Sequence, residues 1–423
     1  MGYDGKIQQG WEEKRLDEIA EIRFSGVDKK IDTTQKPVIL CNYMEVWKNP
    51  YIHAGLNFSS GSVSPEEYER FRLQPGDVLI TKDSETREEI AEPSVVRDKI
   101  DNLVLGYHLA LIRPKHNLVD GFFLAAKLRL PEVRTQFIRA AAGATRYGLG
   151  LEAVKSAKVR LPKLLVQRRI AEVLQSVDNA IDQTRAVIEQ TRRVKTALLQ
   201  NLLTHGLPGQ HRKYKSFKWL SRIPSDWNVV QFKDISNVVR GSSPRPAGDP
   251  RYFNGNHKPW VTVLEVTRDD WIYLTSTTTM LTKEGVGQSR LLKSGTLILS
   301  NSGATLGVPK ILSIESCAND GIAAFLDLNK SADKAFLYYY LIRMTSTFRD
   351  VIAPGLGQPN LNTDLIGEMA IPLPPIDEQR AIATTLFEID KRIRSDEGHA
   401  IQLIQTKAAL SQALLNGQIR IIK

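Results

Sequence analysis

Cysteine is nearly absent from this chain. Of 423 residues only Cys41 and Cys317 are cysteine, and they stand in different halves. Two such residues build neither a disulfide framework nor a cysteine metal cluster, and their scarcity fits a reducing cytoplasm. No stretch of about 18 apolar residues occurs, so no membrane span is expected. The opening Met1-Gly2-Tyr3-Asp4-Gly5-Lys6 has no apolar signal core, and secretion is not expected either. Catalytic signatures are missing as well. There is no Gly-x-x-x-x-Gly-Lys-Ser/Thr phosphate loop and no Asn/Asp-Pro-Pro-Tyr/Phe motif of adenine methyltransferases. Lys82 and Asp83 set a lysine beside a carboxylate, but paired acids at the spacing of a nuclease centre are not recognisable.

What the chain has is an internal repeat. Leu161-Pro162, Gln167-Arg168, Ile170-Ala171, Leu174, Asp178 and Ile181 recur as Leu373-Pro374, Gln379-Arg380, Ile382-Ala383, Leu386, Asp390 and Ile393, at a constant offset of 212. The register runs on through Lys195/Lys407, Leu198/Leu410, Gln200/Gln412 and Leu202/Leu414. A period of half the chain means a pseudo-two-fold protein and not a solenoid. Upstream the repeat weakens. Gly10-Trp11 is echoed by Asp226-Trp227, and Leu73 to Ile80 by Leu292 to Leu299. Each half therefore reads as a variable globular region followed by a repeated helix. Trp11 and Trp227 read as structural anchors at the two starts.

The globular regions carry short strand signals punctuated by Gly and Pro. In the first, Val38 to Cys41, Asp77 to Thr81 and Leu103 to Ile112 are expected strands, with helices over Phe122 to Leu130 and Glu132 to Ala142. In the second, Trp260 to Leu264, Thr296 to Ser300 and Ile322 to Leu328 are expected strands, and Lys334 to Thr347 a helix. The polar, basic stretch from Gly206 to Leu220 reads as a linker. The resulting division is 1–160, a spacer helix 161–205, a linker 206–226, a second globular domain 227–372, and a second spacer helix 373–423.

Both repeated segments carry a seam spaced alternately by four and three. It runs Ile170, Leu174, Val177, Ile181, Thr184, Ile188, Thr191, Lys195, Leu198, Leu202 in the first and Ile382, Leu386, Ile389, Ile393, Asp396, Ala400, Leu403, Lys407, Leu410, Leu414 in the second. A seam at 3.5 needs a partner. The second helix is the cheapest partner for the first, because the two are always present together, and a two-fold relation makes the pair antiparallel. From Val166 to Thr204 such a helix is about 58 Å long at 1.5 Å per residue. The alternative is that each helix packs only on its own globular domain.

The repeated module Leu-Pro-x4-Gln-x2-Ile-Ala-x2-Leu-x3-Asp-x2-Ile, found twice and each time after a variable domain, resembles that of the specificity subunits of type I restriction–modification systems. Leu373 to Arg380, Gly357 to Asn362, Ile223 to Trp227 and Leu410 to Leu415 also look like that family. The resemblance covers almost the whole chain. It implies an α+β fold with two target recognition domains separated by two long antiparallel coiled-coil helices. It implies a non-catalytic subunit in which each domain reads one half of a split double-stranded DNA site. The helices would dock two modification subunits, which methylate adenine, and restriction or motor subunits would join the full complex. No cofactor is expected in this chain; S-adenosylmethionine belongs to the modification subunits. Gln167, Arg168, Gln379 and Arg380 are the expected partner contacts. One departure stands out: Leu165 and Val166 replace the acidic Asp377 and Glu378 of the second module.

Lysine and arginine exceed aspartate and glutamate by ten, which fits either a soluble basic surface or a polyanion partner. Base edges and phosphates are met by Arg, Lys, Asn, Gln, Ser and Thr. In the second domain the expected DNA-contacting residues are Arg240, Ser243 and Arg245 in a Gly/Pro loop, Asn301, Ser302 and Thr305 after a strand, and Gln358 and Asn360 in a Gly/Pro-rich stretch. In the first they are Thr81, Lys82 and Ser84 after the matching strand, with Arg146 and Tyr147. Tyr107-His108 reads instead as a packed Tyr beside a hydrogen-bonded His within a strand. Two other readings stay open: an adaptor that binds protein without DNA, and a fused nuclease or methyltransferase.

Overall fold

The computed structural model describes residues 10–209, 212–218, 220–303, 305–352 and 361–420. The chain divides into two compact units, residues 1–184 with 399–423 and residues 185–398. Among the described residues no helix is long and apolar enough to cross a membrane, and both cysteines are free and buried.

The first unit is built on a five-stranded sheet. Its strands are β1 (Ala20–Phe24), β2 (Tyr51–Ile52), β3 (Val78–Thr81), β4 (Pro93–Val96) and β5 (Leu109–Pro114), in the order β1-β5-β3-β4-β2. Neighbours are antiparallel except β2 and β4, which are parallel. Val78-Leu79-Ile80 is continuously apolar because both faces of the sheet are covered. Alternate side chains go to opposite faces. Val78 and Ile80 join one core with helix α1 (Gly121–Leu128), while Leu79 joins another with a second sheet. That sheet consists of Ser59–Val63, Lys36–Cys41 and Leu103–Leu105. The long helix α2 (Leu164–His205) starts in this unit.

The second unit repeats this plan. Strands β6 (Asn237–Arg240), β7 (Tyr273–Leu274), β8 (Leu297–Ser300), β9 (Pro309–Leu312) and β10 (Ile322–Leu326) take the order β6-β10-β8-β9-β7, again with only the β7·β9 pair parallel. Leu297 and Leu299 face the core that holds helix α3 (Lys334–Thr347), and Ile298 faces the opposite one. The second sheet gains a strand: Met280–Leu281, Phe253–Val261, Ser316–Ala318 and Arg290–Leu292. The long helix α4 (Ile376–Leu415) starts here and ends in the first unit, while α2 ends here.

Three segments differ from the sequence reading. The strand expected over Leu103 to Ile112 is broken at Gly106 to His108, where His108 takes a left-handed backbone at φ 69°. The strand expected over Trp260 to Leu264 ends at Val261, and Val263–Val266 is a helical turn. The stretch expected as a linker forms a hairpin, Tyr214–Phe217 against Ser221–Pro224, and its Phe217, Leu220 and Ile223 enter the core of the second unit. Its polar composition hid three apolar residues spaced at three.

The repeated helix motif has a physical meaning in each unit. Gln167 accepts from the Asp120 backbone N–H at 3.0 Å and donates to the carbonyls of Leu118 and Pro162. Gln379 does the same with the Asp333 N–H at 2.8 Å and the carbonyls of Ser331 and Pro374. Asp120 and Asp333 are the N-caps of α1 and α3. The glutamine thus ties the start of each long helix to the start of the helix packed beside it. Asp178 accepts from the Tyr51 hydroxyl at 2.6 Å and pairs with Lys407 at 2.5 Å. Asp390 accepts from the Tyr339 hydroxyl at 2.7 Å and pairs with Lys195 at 2.5 Å. In each unit, therefore, the starting turns of one long helix meet the closing turns of the other running antiparallel. The seam lysines are partners of the repeated aspartates and not interruptions. Burial, reinforced by the carboxylate, raises both phenols, so they remain donors at ordinary pH.

The second module's extra acid has a local role as well. Glu378 accepts both guanidinium nitrogens of Arg212, at 2.8 and 2.9 Å, the Leu207 N–H and the Trp227 indole N–H. It ties the hairpin segment to the start of α4, and the anchoring expected of Trp227 is made through it. Its counterpart Val166 packs against the apolar core of the first unit.

A hydrogen bond to a charged group is worth about 1.5–3 kcal/mol. Tyr339→Phe is expected to destabilise by about 1–2 kcal/mol in urea unfolding, and Asp390→Asn by about 2 kcal/mol or more, because it strands a half-buried Lys195. The double variant should fall short of the sum by about 1 kcal/mol. Strict additivity would contradict the coupled Tyr–Asp–Lys arrangement.

Candidate functional site

The two sheets end on the same kind of ledge, and the chemistry differs between them. The ledge lies where β3 or β8 ends beside the turn that enters β5 or β10. In the first unit it holds Lys82, Asp83, Tyr107 and His108. In the second it holds Asn301, Ser302, Asn319 and Asp320, with the loop that follows β6.

On the first ledge His108 Nδ1 lies 2.7 Å from Asp83 Oδ2, and Lys82 Nζ lies 3.3 Å from the same oxygen. Lys82 also sits over the Tyr107 ring at 5.1 Å, and Tyr107 packs edge-on against His108 at 3.9 Å. The left-handed His108 turn leaves Tyr107 exposed, contrary to the packed Tyr expected, while the hydrogen-bonded His is as expected. Beside them a cleft of about 400 Å³ is lined by Tyr43, Met44, Trp47, Asp83, His108 and Arg146 among others. Burial raises the Tyr43 phenol, with the carboxylates of Glu89, Glu85 and Asp83 adding to it. Tyr147 is half-buried on a short strand paired to Ser84, under the Arg87 guanidinium at 5.0 Å.

Several expected residues are buried. Thr81 is 0 % exposed, and its hydroxyl accepts from the Glu92 N–H at 2.9 Å. Ser84 is buried and donates to the Thr86 carbonyl at 2.5 Å. Asn301 is 1 % exposed; its N–H donates to Gly321 and its carbonyl accepts from Leu361. Polar side chains after a strand are expected to project outward, whereas the Thr81 and Ser84 hydroxyls close the turn and Asn301 is held there by its main chain. Ser300, the repeat partner of Thr81, does likewise, donating to Thr305 O and accepting from Val308 N–H. Ser302 and Thr305 are half-buried. Gln358 and Asn360 lie outside the described residues.

Arg240, Ser243 and Arg245 do come together, on a residue that sequence reasoning missed. Asp320 Oδ1 accepts from the Ser243 hydroxyl at 2.7 Å, and Oδ2 from Arg245 at 3.3 Å. The Asp320 carbonyl accepts from Arg240 Nε at 2.5 Å. The Ser243 hydroxyl, helped by both arginines, holds the Asp320 carboxyl below the usual carboxylate range. The signal available in the sequence was position: Asp320 follows Asn319 just before a strand, where Tyr107-His108 precedes the matching one.

Of the expected partner contacts, Gln167 and Gln379 are buried and their amides are spent on backbone within their own units. That leaves the docking expectation with Arg168 and Arg380, which are exposed.

This architecture has counterparts. The family model described as "Type I restriction modification DNA specificity domain" matches twice, at residues 8–191 and 224–405. A putative type I restriction enzyme MjaX specificity subunit of Methanocaldococcus jannaschii is 24 % identical, the match covering 99 % of this chain and 95 % of that one. The type I restriction enzyme HindI specificity subunit of Haemophilus influenzae is 19 % identical, over 97 % of this chain and 99 % of that one. Among solved structures, the S subunit of a type I restriction–modification system from M. genitalium aligns with a TM-score of 0.58 at 14 % identity, covering 98 % of each chain. A chain from a study of the complex assembly and conformational transition of the type I R-M system aligns with a TM-score of 0.58 at 18 % identity, covering 98 % of this chain and 100 % of that one. With two matches to the family model spanning most of its length on a doubled fold, the chain belongs to the type I restriction–modification DNA specificity subunits.

Proposed function

We propose that this chain reads a bipartite double-stranded DNA site and carries two adenine modification subunits to it, without catalytic activity of its own. The observation that supports this best is the doubled ledge. One sheet topology is built twice, and its exposed edge bears Lys82, Tyr107 and a His–Asp pair in one unit but two arginines around an aspartate in the other. A frame kept for stability with different polar groups at the same place suits two readers of two different half-sites. The long helices, each contributing to both units, set the spacing between the readers. Arg168, Arg380 and their neighbours on the outer helix faces receive the modification subunits. S-adenosylmethionine is held by those partners.

Co-expression with the modification subunit of its own system is expected to give a two-to-one assembly by native mass measurement. Mapping of methylated adenines should then return one split, non-palindromic motif, and DNA affinity should fall steeply with salt. Salt-insensitive or absent DNA binding would favour the adaptor reading. Methylation or cleavage by the purified chain alone would favour a fused enzyme.

The readers should also be separable. Tyr107→Ala is expected to relax discrimination in the first half-site by about 1–3 kcal/mol per lost base contact and to leave the second half-site as it was. Equal relaxation of both halves in the methylation map would contradict independent reading.

A further inference from the structure

Arg240 and Arg245 are the more exposed members of their cluster, with side chains 53 % and 69 % exposed. Arg245 spends one of its donors on Asp320 among the described residues, and a guanidinium has five. The start of the loop that carries it, residues 240–242, is pinned down. The Gly241 N–H donates to the Ile322 carbonyl at 2.8 Å and the Ser242 N–H to Ala318 at 2.9 Å. The Ser289 hydroxyl donates to the Ser242 carbonyl at 2.6 Å, and Arg290 Nε to the Arg240 carbonyl at 2.7 Å. A Cβ on residue 241 would stand 2.0 Å from the Asn319 carbonyl oxygen, so only glycine lets the loop lie this close to the turn that bears Asp320. The result is a fork two residues beyond an anchored segment that ends at Ser243, which restricts where it can reach, as recognition at a fixed geometry requires.

The aspartate shifts the balance between two kinds of ligand. A phosphate approaching Arg245 also approaches the Asp320 carboxylate, which offsets one of the two guanidinium charges and weakens its pull. A neutral base edge is less affected. In the major groove guanine offers two adjacent acceptors, O6 and N7, which match an arginine fork. The first unit's ledge has Tyr107, His108 and Lys82 at the matching place.

We propose that Arg245 reads a guanine in the half-site met by the second unit, donating to O6 and N7, with Asp320 and Arg240 as positioning residues. This rests on the DNA-reading function proposed above. No such requirement attaches to the first unit's ledge.

The test uses the complex with its modification subunits and duplexes bearing the site found by methylation mapping. Each guanine of the second half-site is replaced in turn by 7-deazaguanine, which removes N7 and keeps base pairing. One position is expected to weaken binding by about fivefold, a fraction of a full bidentate contact. The Arg245→Ala complex should bind that duplex and the unmodified one equally. Asp320→Ala should shrink the same difference, and should add nothing in the Arg245→Ala background, which a purely structural role would not produce. The proposal is overturned if the half-site holds no guanine or none is sensitive. It is also overturned if Arg245→Ala weakens every sequence alike and lowers the salt slope by about one, the mark of a phosphate contact. Failure of the DNA-reading function itself is distinguishable, because the unmodified site would then bind no better than a scrambled duplex.

Discussion

Everything else in this molecule depends on two polar side chains per long helix, a buried glutamine and a largely shielded aspartate. A glutamine near the start of each helix is saturated by backbone groups, one of them the N–H of the residue that caps the neighbouring helix. A burial of this kind is tolerated only when every polar group is met, and it then fixes one geometry. Eleven positions further on, an aspartate gathers a tyrosine hydroxyl and a lysine from the closing turns of the other long helix. The glutamine orients each helix on its globular part; the aspartate fixes its register against the other helix.

This frame constrains the two halves unequally. Asp178 and Asp390 need a phenol, but the fold does not dictate from where. Tyr51 comes from the edge strand β2, Tyr339 from the helix α3. The second unit's own edge-strand tyrosine, Tyr273, packs instead against Phe387 of α4. Divergence of the globular parts is therefore compatible with an unchanged helix motif, and it extends to the ledges, where different side chains occupy equivalent turns. A frame that tolerates such exchange is suited to changing what it reads while keeping how it is held.

The helix repeat was legible because a change of its glutamine, aspartate or lysine leaves a buried or partly buried polar partner unmet. The sheet repeat was legible only from Leu73 to Ile80 and from Leu292 to Leu299, where a glycine at positive φ, Gly76 or Gly295, turns the chain into a fully buried central strand. Short edge strands such as Tyr51–Ile52 leave almost no pattern to detect. The candidate site is less legible, for one reason: polarity in a sequence does not imply exposure. Thr81 and Ser84 look like readers and are turn-closers, since hydroxyls satisfy local backbone as readily as a ligand, and Asn301 is buried with its main chain bonded on both sides. Tyr107 is hard to single out because aromatic residues are usually packed, and Asp320 because an acid does not by itself suggest a place beside an anion. A left-handed turn and a serine–aspartate hydrogen bond, neither visible in composition, reverse both expectations.

The central claim is that the long helices form one frame whose length sets the separation of two independent readers. Inserting four residues after Ala186 and four after Gly398, positions related by the repeat, lengthens both helices by about 6 Å at 1.5 Å per residue and nearly preserves the seam, as a stutter does. One turn of DNA is about 34 Å over 10 base pairs, so methylation mapping should return both half-sites unaltered with the gap between them longer by about one or two base pairs. A folded variant that assembles with its modification subunits and methylates sites with the original gap would contradict the account.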